Sequence, residues 1–299
     1  MDTFTLQGSI AALVTPFNAD GSIDYASYDA LLDFHLENGT SGVVVCGTTG
    51  ETPTLSEKED AQMFEHTMKR IGGKMTVIAG TGSNSTASCI SYTKNAASSG
   101  VDAVLCVGPY YNKPTAEGMY LHFAELAKNV NIPIILYNVP SRTGVTLTAQ
   151  TIVELCKEVD NIVGVKDATG NLSMTADIMS AADGCVDLYS GNDDQIVPIM
   201  SLGGIGCIST IANILPRETK MITDKYFAGD IAGAAKLQLH YKSLVDALFS
   251  EVNPIPVKAA LAAMGLCGET MRLPLTPMSA EKRAVLYRLM AAEGLIEAR

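Results

Sequence analysis

Eight short runs of apolar residues, many of them β-branched, recur at fairly even spacing along the first two thirds of the chain. Each run is continuous rather than alternating, which is typical of strands that are buried on both faces of a parallel sheet. The sequence therefore predicts eight parallel strands, at residues 8–16, 41–47, 74–80, 101–109, 132–140, 161–167, 185–191 and 203–210.

Segments of helical length separate these runs. The alternation of strand and helix over eight repeats favours an α/β fold of the (β/α)8 TIM-barrel type. A doubly wound sheet is the alternative, but it usually carries a glycine-rich phosphate turn, and neither GxGxxG nor GxxxxGK[ST] occurs here. The predicted helices lie at 24–38, 57–71, 85–99, 117–129, 148–158 and 172–182.

The strand pattern stops after residue 213, and the rest of the chain is rich in Ala, Leu and Met. We expect a barrel over residues 1–228, which holds any catalytic site, and a C-terminal α-helical extension over 229–299. Helices of this extension are predicted at about 230–250, 255–265 and 279–297.

The net charge of −11 argues against a nucleic-acid or anionic-membrane binder, because such proteins need a basic surface. The first residues lack the basic and apolar segments of a signal peptide, and no apolar run reaches the roughly 18 residues that span a bilayer. The seven cysteines form no CxxC pair, and the four histidines show no metal-binding spacing. We expect a soluble cytoplasmic protein with reduced thiols, no metal and no cofactor.

A lysine occupies the end of the sixth predicted strand, where TIM barrels carry their catalytic groups. Lys166 directly follows the apolar run 162–165. One interpretation is structural, in which the lysine reaches solvent or pairs with Asp167. The other is chemical, because a barrel mouth strips water from an ammonium group and favours the free amine that attacks a carbonyl. The resulting Schiff base lets the adjacent carbon lose a proton, and it needs neither metal nor cofactor.

Other strand ends carry polar groups that could serve such a lysine. Tyr137 ends the neighbouring strand and is either a proton shuttle or a packed core aromatic. The loop GTTGET (47–52) offers hydroxyls and backbone N–H groups that suit a small carboxylate. Arg142 is either a fork for a second carboxylate or a plain surface arginine. The residues around the tyrosine pair of GPYYNKP (108–114) indicate no particular role for either tyrosine.

The strand ends and the loops after them contain six recognisable segments: GSIAALVTPF, GTTGET, GPYYNKPT, YNVPSRTG, GVKDATGN and NPIPVKAAL. Together they resemble the 4-hydroxy-tetrahydrodipicolinate synthase family, also called dihydrodipicolinate synthases. The resemblance runs from about residue 6 to near the C-terminus. Each segment alone is shared with related pyruvate aldolases, whereas the set is specific, above all the arginine of PSRTG. The resemblance implies a (β/α)8 barrel that condenses pyruvate with L-aspartate 4-semialdehyde on the route to lysine.

The resemblance also implies catalytic roles. Lys166 corresponds to the lysine that forms the Schiff base with pyruvate. Tyr137, Thr49 and Tyr111 correspond to a proton relay, in which a neighbouring subunit lends Tyr111. A relay that crosses an interface implies a homo-oligomer, usually a tetramer in this family.

Substrate-binding roles follow in the same way. Thr48 and Thr49 correspond to the site of the pyruvate carboxylate, and Arg142 corresponds to the residue that receives the carboxylate of the aldehyde substrate. Gly191 and Ile208 correspond to backbone positions that line the pocket.

A lysine effector site is the last implication of the resemblance. Asn84 and Tyr110 match residues that bind the amino-acid head group in lysine-inhibited members. Glu57 and Asp60 replace histidines of those members, and Ser88 replaces the glutamate that pairs with the α-ammonium group. Loss of that counter-charge predicts weak or absent inhibition by lysine.

Two alternatives stay open at this point. The first is another Schiff-base pyruvate lyase, such as N-acetylneuraminate lyase or a keto-sugar-acid aldolase, and Arg142 with the GTTGE loop argues against it. The second is a binding or regulatory protein on the same scaffold, and retention of every polar site residue argues against it. An assay of pyruvate with either aspartate semialdehyde or N-acetylmannosamine separates all three.

Overall fold

A closed barrel of eight parallel strands forms the centre of the computed structural model, which describes residues 4–297. The strands follow one another in chain order, and the last pairs with the first. The predicted fold is confirmed. The strands are β1 (Gly8–Ala12), β2 (Gly42–Val45), β3 (Thr76–Gly80), β4 (Ala103–Val107), β5 (Ile134–Asn138), β6 (Ile162–Asp167), β7 (Asp187–Ser190) and β8 (Gly206–Ser209).

Helices surround the barrel and continue beyond it. Several begin at a residue whose side chain accepts a backbone N–H of the first turn; Ser56 and Glu59 do so reciprocally in a capping box. The helices are α1 (Tyr25–Glu37), α2 (Glu57–Ile71), α3 (Thr86–Ser98), α4 (Ala116–Lys128), α5 (Pro140–Thr143), α6 (Ala149–Glu158), α7 (Leu172–Ala182), α8 (Ile196–Ser201), α9 (Pro216–Phe227), α10 (Ile231–His240), α11 (Lys242–Leu248), α12 (Ile255–Ala263) and α13 (Ala280–Ala292).

Three helices differ from the sequence-based prediction, which contains no helix at α5, α8 or α9. The first two are four and six residues long and leave little periodic signal. Helix α9 is longer, and Pro216 at its first position was an available signal for a helix start. The single helix predicted at 230–250 is two helices, α10 and α11, which meet at Tyr241.

The helices after α9 share hydrophobic clusters with the barrel. Ala234 of α10 packs with Ile196 of α8, Cys207 of β8 and Ile222 of α9. A second cluster joins α11, α12 and α13 to barrel residues that include Val14. The C-terminal helices are therefore continuous with the barrel core.

We propose that residues 1–228 form the barrel and that residues 229–299 form the C-terminal helical extension. A turn separates α9 from α10, and the Asp230 side chain accepts a hydrogen bond from the N–H of Gly233 to begin α10. Residues 1–3 and 298–299, which include part of the segment judged for a signal peptide, lie outside the described residues. Within 4–297, no helix is both long and apolar enough to cross a membrane.

A fully buried ion pair ties α12 to the loop after β2. Lys258 Nζ donates to Glu51 Oε1 at 2.5 Å, to the Thr15 carbonyl at 3.0 Å and to the Thr270 carbonyl at 2.7 Å. All three ammonium donors are thus satisfied. Burial, partly offset by Glu51, lowers the pKa of the Lys258 ammonium group. Glu51 itself adopts a left-handed backbone conformation, with φ of 57°, at the end of the GTTGE loop.

We expect Lys258→Met to lower the free energy of unfolding by about 3–5 kcal/mol, because it leaves the Glu51 carboxylate buried without a counter-charge. Urea denaturation measures the change. Lys242→Met is the matched control, since the Lys242–Asp246 pair lies at the surface and contributes at most about 1 kcal/mol. Adding Glu51→Leu to Lys258→Met should recover part of the loss. Equal effects of the two lysine substitutions would contradict this account.

Candidate active site

Lys166 lies at the carboxyl end of β6, beside Tyr137 at the end of β5. The two residues are register partners in the parallel pair, and both are more than nine-tenths buried. Lys166 Nζ stands 4.5 Å from the centroid of the Tyr137 ring. Among the residues that the structure describes, Nζ has neither a hydrogen bond nor an ion pair. The amine can therefore reach an incoming carbonyl without breaking a bond to the protein.

Asp167, the expected structural partner of Lys166, points away from it and is already engaged. Its Oδ1 accepts the N–H of Thr169 at 2.9 Å, and its Oδ2 accepts the Thr175 hydroxyl at 2.8 Å. Lys166 is 7% exposed, so it does not extend into solvent either. Both parts of the structural interpretation of this lysine are wrong.

A cavity of about 180 Å³ opens above Lys166 at the carboxyl ends of the strands. Its size suits a small organic acid rather than a drug-sized ligand. Ile208, expected to contribute a backbone position, is not among the residues that line it, and its side chain packs with Ile10 inside the barrel. The sequence-predicted residues that do line it are Thr48, Thr49, Tyr137, Arg142, Lys166 and Gly191.

Gly191 lets the main chain approach the cavity closely. Its N–H donates to the Asp167 carbonyl at 2.7 Å. A Cβ at this position would lie 2.7 Å from the Ala168 Cβ and 2.9 Å from the Asp167 carbonyl oxygen. A side chain cannot fit there without moving the backbone beside Lys166.

The two threonines of the GTTGE loop differ in their surroundings. Thr49 is 3% exposed, and its Oγ1 accepts a hydrogen bond from Asn253 Nδ2 at 2.9 Å. Thr48 is half-buried, and no hydrogen bond to its side chain is present among the described residues. Thr48 also borders a second, outer cavity, which Thr49 does not line. The two hydroxyls are thus suited to different tasks.

Arg142 lies on the short helix α5, at the mouth of the cavity. The loop that carries it is closed by two hydrogen bonds between Asn138 and Leu147, at 2.9 and 3.1 Å. Arg142 Nη2 donates to the carbonyl of Asn253 at 3.0 Å, and the residue is exposed. Four N–H donors remain for a ligand, which suits bidentate binding of a carboxylate.

Tyr111 is not brought to the cavity of its own chain. Its side chain is 88% exposed, and its backbone is left-handed, with φ of 72°. Such a conformation is an outlier for a large aromatic residue and is maintained only where the surroundings enforce it. Here its N–H donates to the carbonyl of Thr143 at 3.4 Å. The strained loop therefore holds an aromatic ring out from the surface.

The outer cavity, of about 350 Å³, lies between the GTTGE loop, α2 and the loop GPYYNKP (108–114), here called the tyrosine loop, and Tyr110 lines it. Asn84 Nδ2 donates to the Tyr110 carbonyl at 3.1 Å. The proposed effector residues Asn84 and Tyr110 are therefore in contact. Their role as a lysine site, and the weak inhibition expected from it, stay predictions.

Asp60 is the most perturbed acid of the outer cavity. Burial raises the pKa of its carboxyl to about 7, and the neighbouring carboxylates of Glu59 and Glu57 add to the effect, whereas the Cys46 thiol opposes it. Tyr92 of α3 faces the same carboxyl. The protonated form of Asp60 is thus favoured in the folded protein up to neutral pH.

We expect Asp60→Asn to stabilise the protein, by an amount that grows as the pH rises from about 4 to 7. The folded pKa lies above the ordinary value of 3.8, so in this window the unfolded chain releases its proton while the native chain retains it, and the stability of the wild type falls as the pH rises. The gain should reach roughly 2–4 kcal/mol above neutral pH. Urea denaturation at several pH values measures it.

Glu57→Gln is the control for this substitution, since Glu57 lies one turn earlier on α2 and is exposed. It should change the free energy of unfolding by no more than about 0.5 kcal/mol at any pH. A gain from Asp60→Asn that is constant with pH would mean that the Asp60 pKa is not raised.

Sequence reasoning missed Asn253, which contacts both Thr49 and Arg142 and lines the cavity. It belongs to NPIPVKAAL, one of the six segments on which the family resemblance rests, but the resemblance assigned no role to any residue of that segment. No cluster of three or more potential metal ligands is present in the described part of the chain.

Known proteins resemble this chain over almost its whole length. The sequence profile of the dihydrodipicolinate synthetase family matches residues 5–293. The 4-hydroxy-tetrahydrodipicolinate synthase of Thermoanaerobacter sp. (strain X514) is 45% identical over 291 residues, which cover 97% of this chain and 98% of that protein.

Solved structures agree with the sequence relatives. Dihydrodipicolinate synthase from Aquifex aeolicus has a TM-score of 0.95 and 42% identity, covering 98% of this chain and 100% of that one. The chloride-inhibited dihydrodipicolinate synthase from Acinetobacter baumannii, complexed with pyruvate, has a TM-score of 0.95 and 44% identity over the same shares of the two chains. With its barrel, its buried lysine and these relatives, the chain belongs to the dihydrodipicolinate synthetase family.

Proposed function

We propose that this chain is a 4-hydroxy-tetrahydrodipicolinate synthase, which condenses pyruvate with L-aspartate 4-semialdehyde through a Schiff base on Lys166. The reaction serves lysine biosynthesis by way of diaminopimelate. The observation that carries the proposal is the position of the Lys166 amine. It is buried at the barrel mouth, without a hydrogen bond or ion pair among the described residues, and faces a cavity of small-acid size.

The first half of the reaction activates pyruvate. The Lys166 amine adds to the ketone carbon, and loss of water leaves an iminium. The methyl group then gives up a proton, and the electron pair of that C–H bond forms an enamine. Tyr137 stands against the Lys166 side chain and is the proposed acid–base group for these proton transfers.

The second half forms the new carbon–carbon bond. The enamine carbon attacks the aldehyde carbon of aspartate semialdehyde, and the oxygen takes up a proton to become the 4-hydroxyl group. The amino group of this substrate then displaces Lys166 from the imine carbon, which closes the ring and returns the free amine. Arg142 is the proposed receptor for the second carboxylate, since its exposed donors face the mouth of the cavity.

The proton relay assigned by resemblance contains Thr49, but the surroundings of the two threonines favour Thr48 for this step. Thr48 lines both the inner cavity, with Tyr137, and the outer cavity, with Tyr110 of the tyrosine loop. Thr49 is engaged by Asn253 and is better suited to binding the pyruvate carboxylate. We therefore propose Tyr137, Thr48 and Tyr111 as the relay.

The relay requires a second subunit, because Tyr111 extends away from the cavity of its own chain. We propose a homo-oligomer, a tetramer as the resemblance implies, in which each Tyr111 completes the site of a neighbour. The strained, exposed position of this ring supports the exchange. Location in the cytoplasm is part of the same proposal.

Pyruvate with borohydride should add one reduced pyruvate to each chain, at Lys166. Reduction converts the iminium to a stable amine, and peptide mass spectrometry locates the added mass. Lys258 is an internal control, since it is also buried but its three donors are occupied. Label on another lysine, or no label, would overturn the proposed function.

Tyr111→Phe should lower turnover by about 10²–10⁴-fold, the usual contribution of a general acid–base group. Lys166→Ala should be inactive because it lacks the nucleophile. Mixed oligomers of these two variants test exchange between subunits. If Tyr111 acts across a two-fold interface, random mixing should restore about a quarter of wild-type activity. No recovery on mixing would mean that Tyr111 does not act in a neighbouring subunit.

A further inference from the structure

Asn253 connects the C-terminal helices to both ends of the cavity. It lies just before α12 and is 7% exposed. Its side-chain Nδ2 donates to Thr49 Oγ1 at 2.9 Å, and its main-chain carbonyl accepts from Arg142 Nη2 at 3.0 Å. Its Oδ1 is buried and has no hydrogen-bond partner among the described residues. A buried polar side chain with such contacts at a cavity wall requires a functional explanation.

We propose that Asn253 is a positioning residue for the first substrate, which orients the Thr49 hydroxyl so that it donates to the carboxylate of pyruvate. This inference rests on the proposed function. A threonine hydroxyl has one proton and accepts at its lone pairs. Because Oγ1 already accepts a hydrogen bond from the Asn253 amide, the hydroxyl proton of Thr49 is directed away from Asn253. Thr49 lines the cavity, so this proton is available to a ligand there.

The direction of this hydrogen bond matches the chemistry of the ligand. An ionised carboxylate only accepts hydrogen bonds, so a hydroxyl that binds it must donate. If the side-chain amide of Asn253 were turned by about 180°, its Oδ1 would accept a hydrogen bond from the Thr49 hydroxyl. A lone pair of the hydroxyl oxygen would then face the carboxylate. The observed orientation presents a donor, and donors to an ionised group form the stronger class of hydrogen bond.

The same segment also holds the loop that carries Thr49. Lys258 lies five residues after Asn253 in the chain and binds Glu51, two residues after Thr49. Thr15 Oγ1 donates to the carbonyl of Gly50 at 2.7 Å, between these two points. The loop is therefore fixed at Gly50 and Glu51, the two residues that follow Thr49, by contacts that do not involve Asn253.

Asn253→Asp tests the direction of the bond with little change in shape. The aspartate has no amide donor and instead accepts a hydrogen bond from the Thr49 hydroxyl. The hydroxyl can then no longer donate to pyruvate. We expect the KM for pyruvate to rise by about ten- to hundredfold, whereas the KM for aspartate semialdehyde changes little. The second value is spared because Arg142 contacts the main-chain carbonyl, which the substitution retains. Asn253→Ala, which adds no charge, should raise the KM for pyruvate in the same sense.

A double-mutant cycle with Thr49→Val separates positioning from general damage. If Asn253 acts through the Thr49 hydroxyl, Asn253→Ala should add almost nothing to the pyruvate KM once that hydroxyl is absent. Additive effects would overturn the inference, as would an unchanged pyruvate KM in Asn253→Asp. Asn129→Asp, the same chemical change at the residue that ends α4, is the control and should leave both KM values unchanged.

Borohydride trapping distinguishes failure of the proposed function from failure of the role of Asn253. At saturating pyruvate, both Asn253 variants should still be labelled at Lys166, because the nucleophile is intact. An unlabelled wild-type enzyme means that the proposed function fails. A labelled wild type with a normal pyruvate KM in the Asn253 variants means that only the role of Asn253 fails. If Asn253→Asp does not fold, Asn253→Ala, which removes the amide donor without adding a charge, provides the test.

Discussion

The parallel pairing of β5 with β6 is the constraint on which the site depends. Because the register sets Tyr137 opposite Lys166, a phenol and an amine meet at one rim of the barrel. Closure of the sheet brings the remaining strand ends to the same rim, so the loops that follow β2 and β7 face the same space. The positions of the lysine and the phenol are thus a consequence of strand order and register, and the loops add the threonines and Arg142.

The C-terminal helices belong to the site as much as the barrel does. They contribute no group that is proposed to react, yet they control the GTTGE loop through Lys258 and Asn253. A buried ion pair is costly to desolvate, and its use here is best understood as fixing one arrangement of the loop rather than as added stability. A threonine in a flexible loop could not present its hydroxyl in a single direction.

The part of the site that follows from local patterns was predictable from the sequence. Lys166 and Tyr137 end neighbouring apolar runs, so a parallel barrel necessarily places them together. Asn253 was not predictable in this way, because its partner Thr49 lies 204 residues away and no periodicity connects them. The role of Tyr111 could not be derived locally either, since its ring is 88% exposed in the described structure while its backbone is strained.

The hydrogen bond from Arg142 to a main-chain carbonyl has an evolutionary consequence. A substitution can remove a hydrogen-bond partner that belongs to a side chain, whereas the main-chain carbonyl is retained in almost every substitution at position 253. In the roles proposed above, recognition of pyruvate depends on the Asn253 side-chain amide, whereas recognition of the aldehyde depends on the path of the backbone. Proteins that evolve from such a barrel could accept a different aldehyde substrate through changes in the α5 loop and still bind the same keto acid. Divergence within a family of pyruvate-dependent lyases would then begin at the mouth and leave the base of the cavity unaltered.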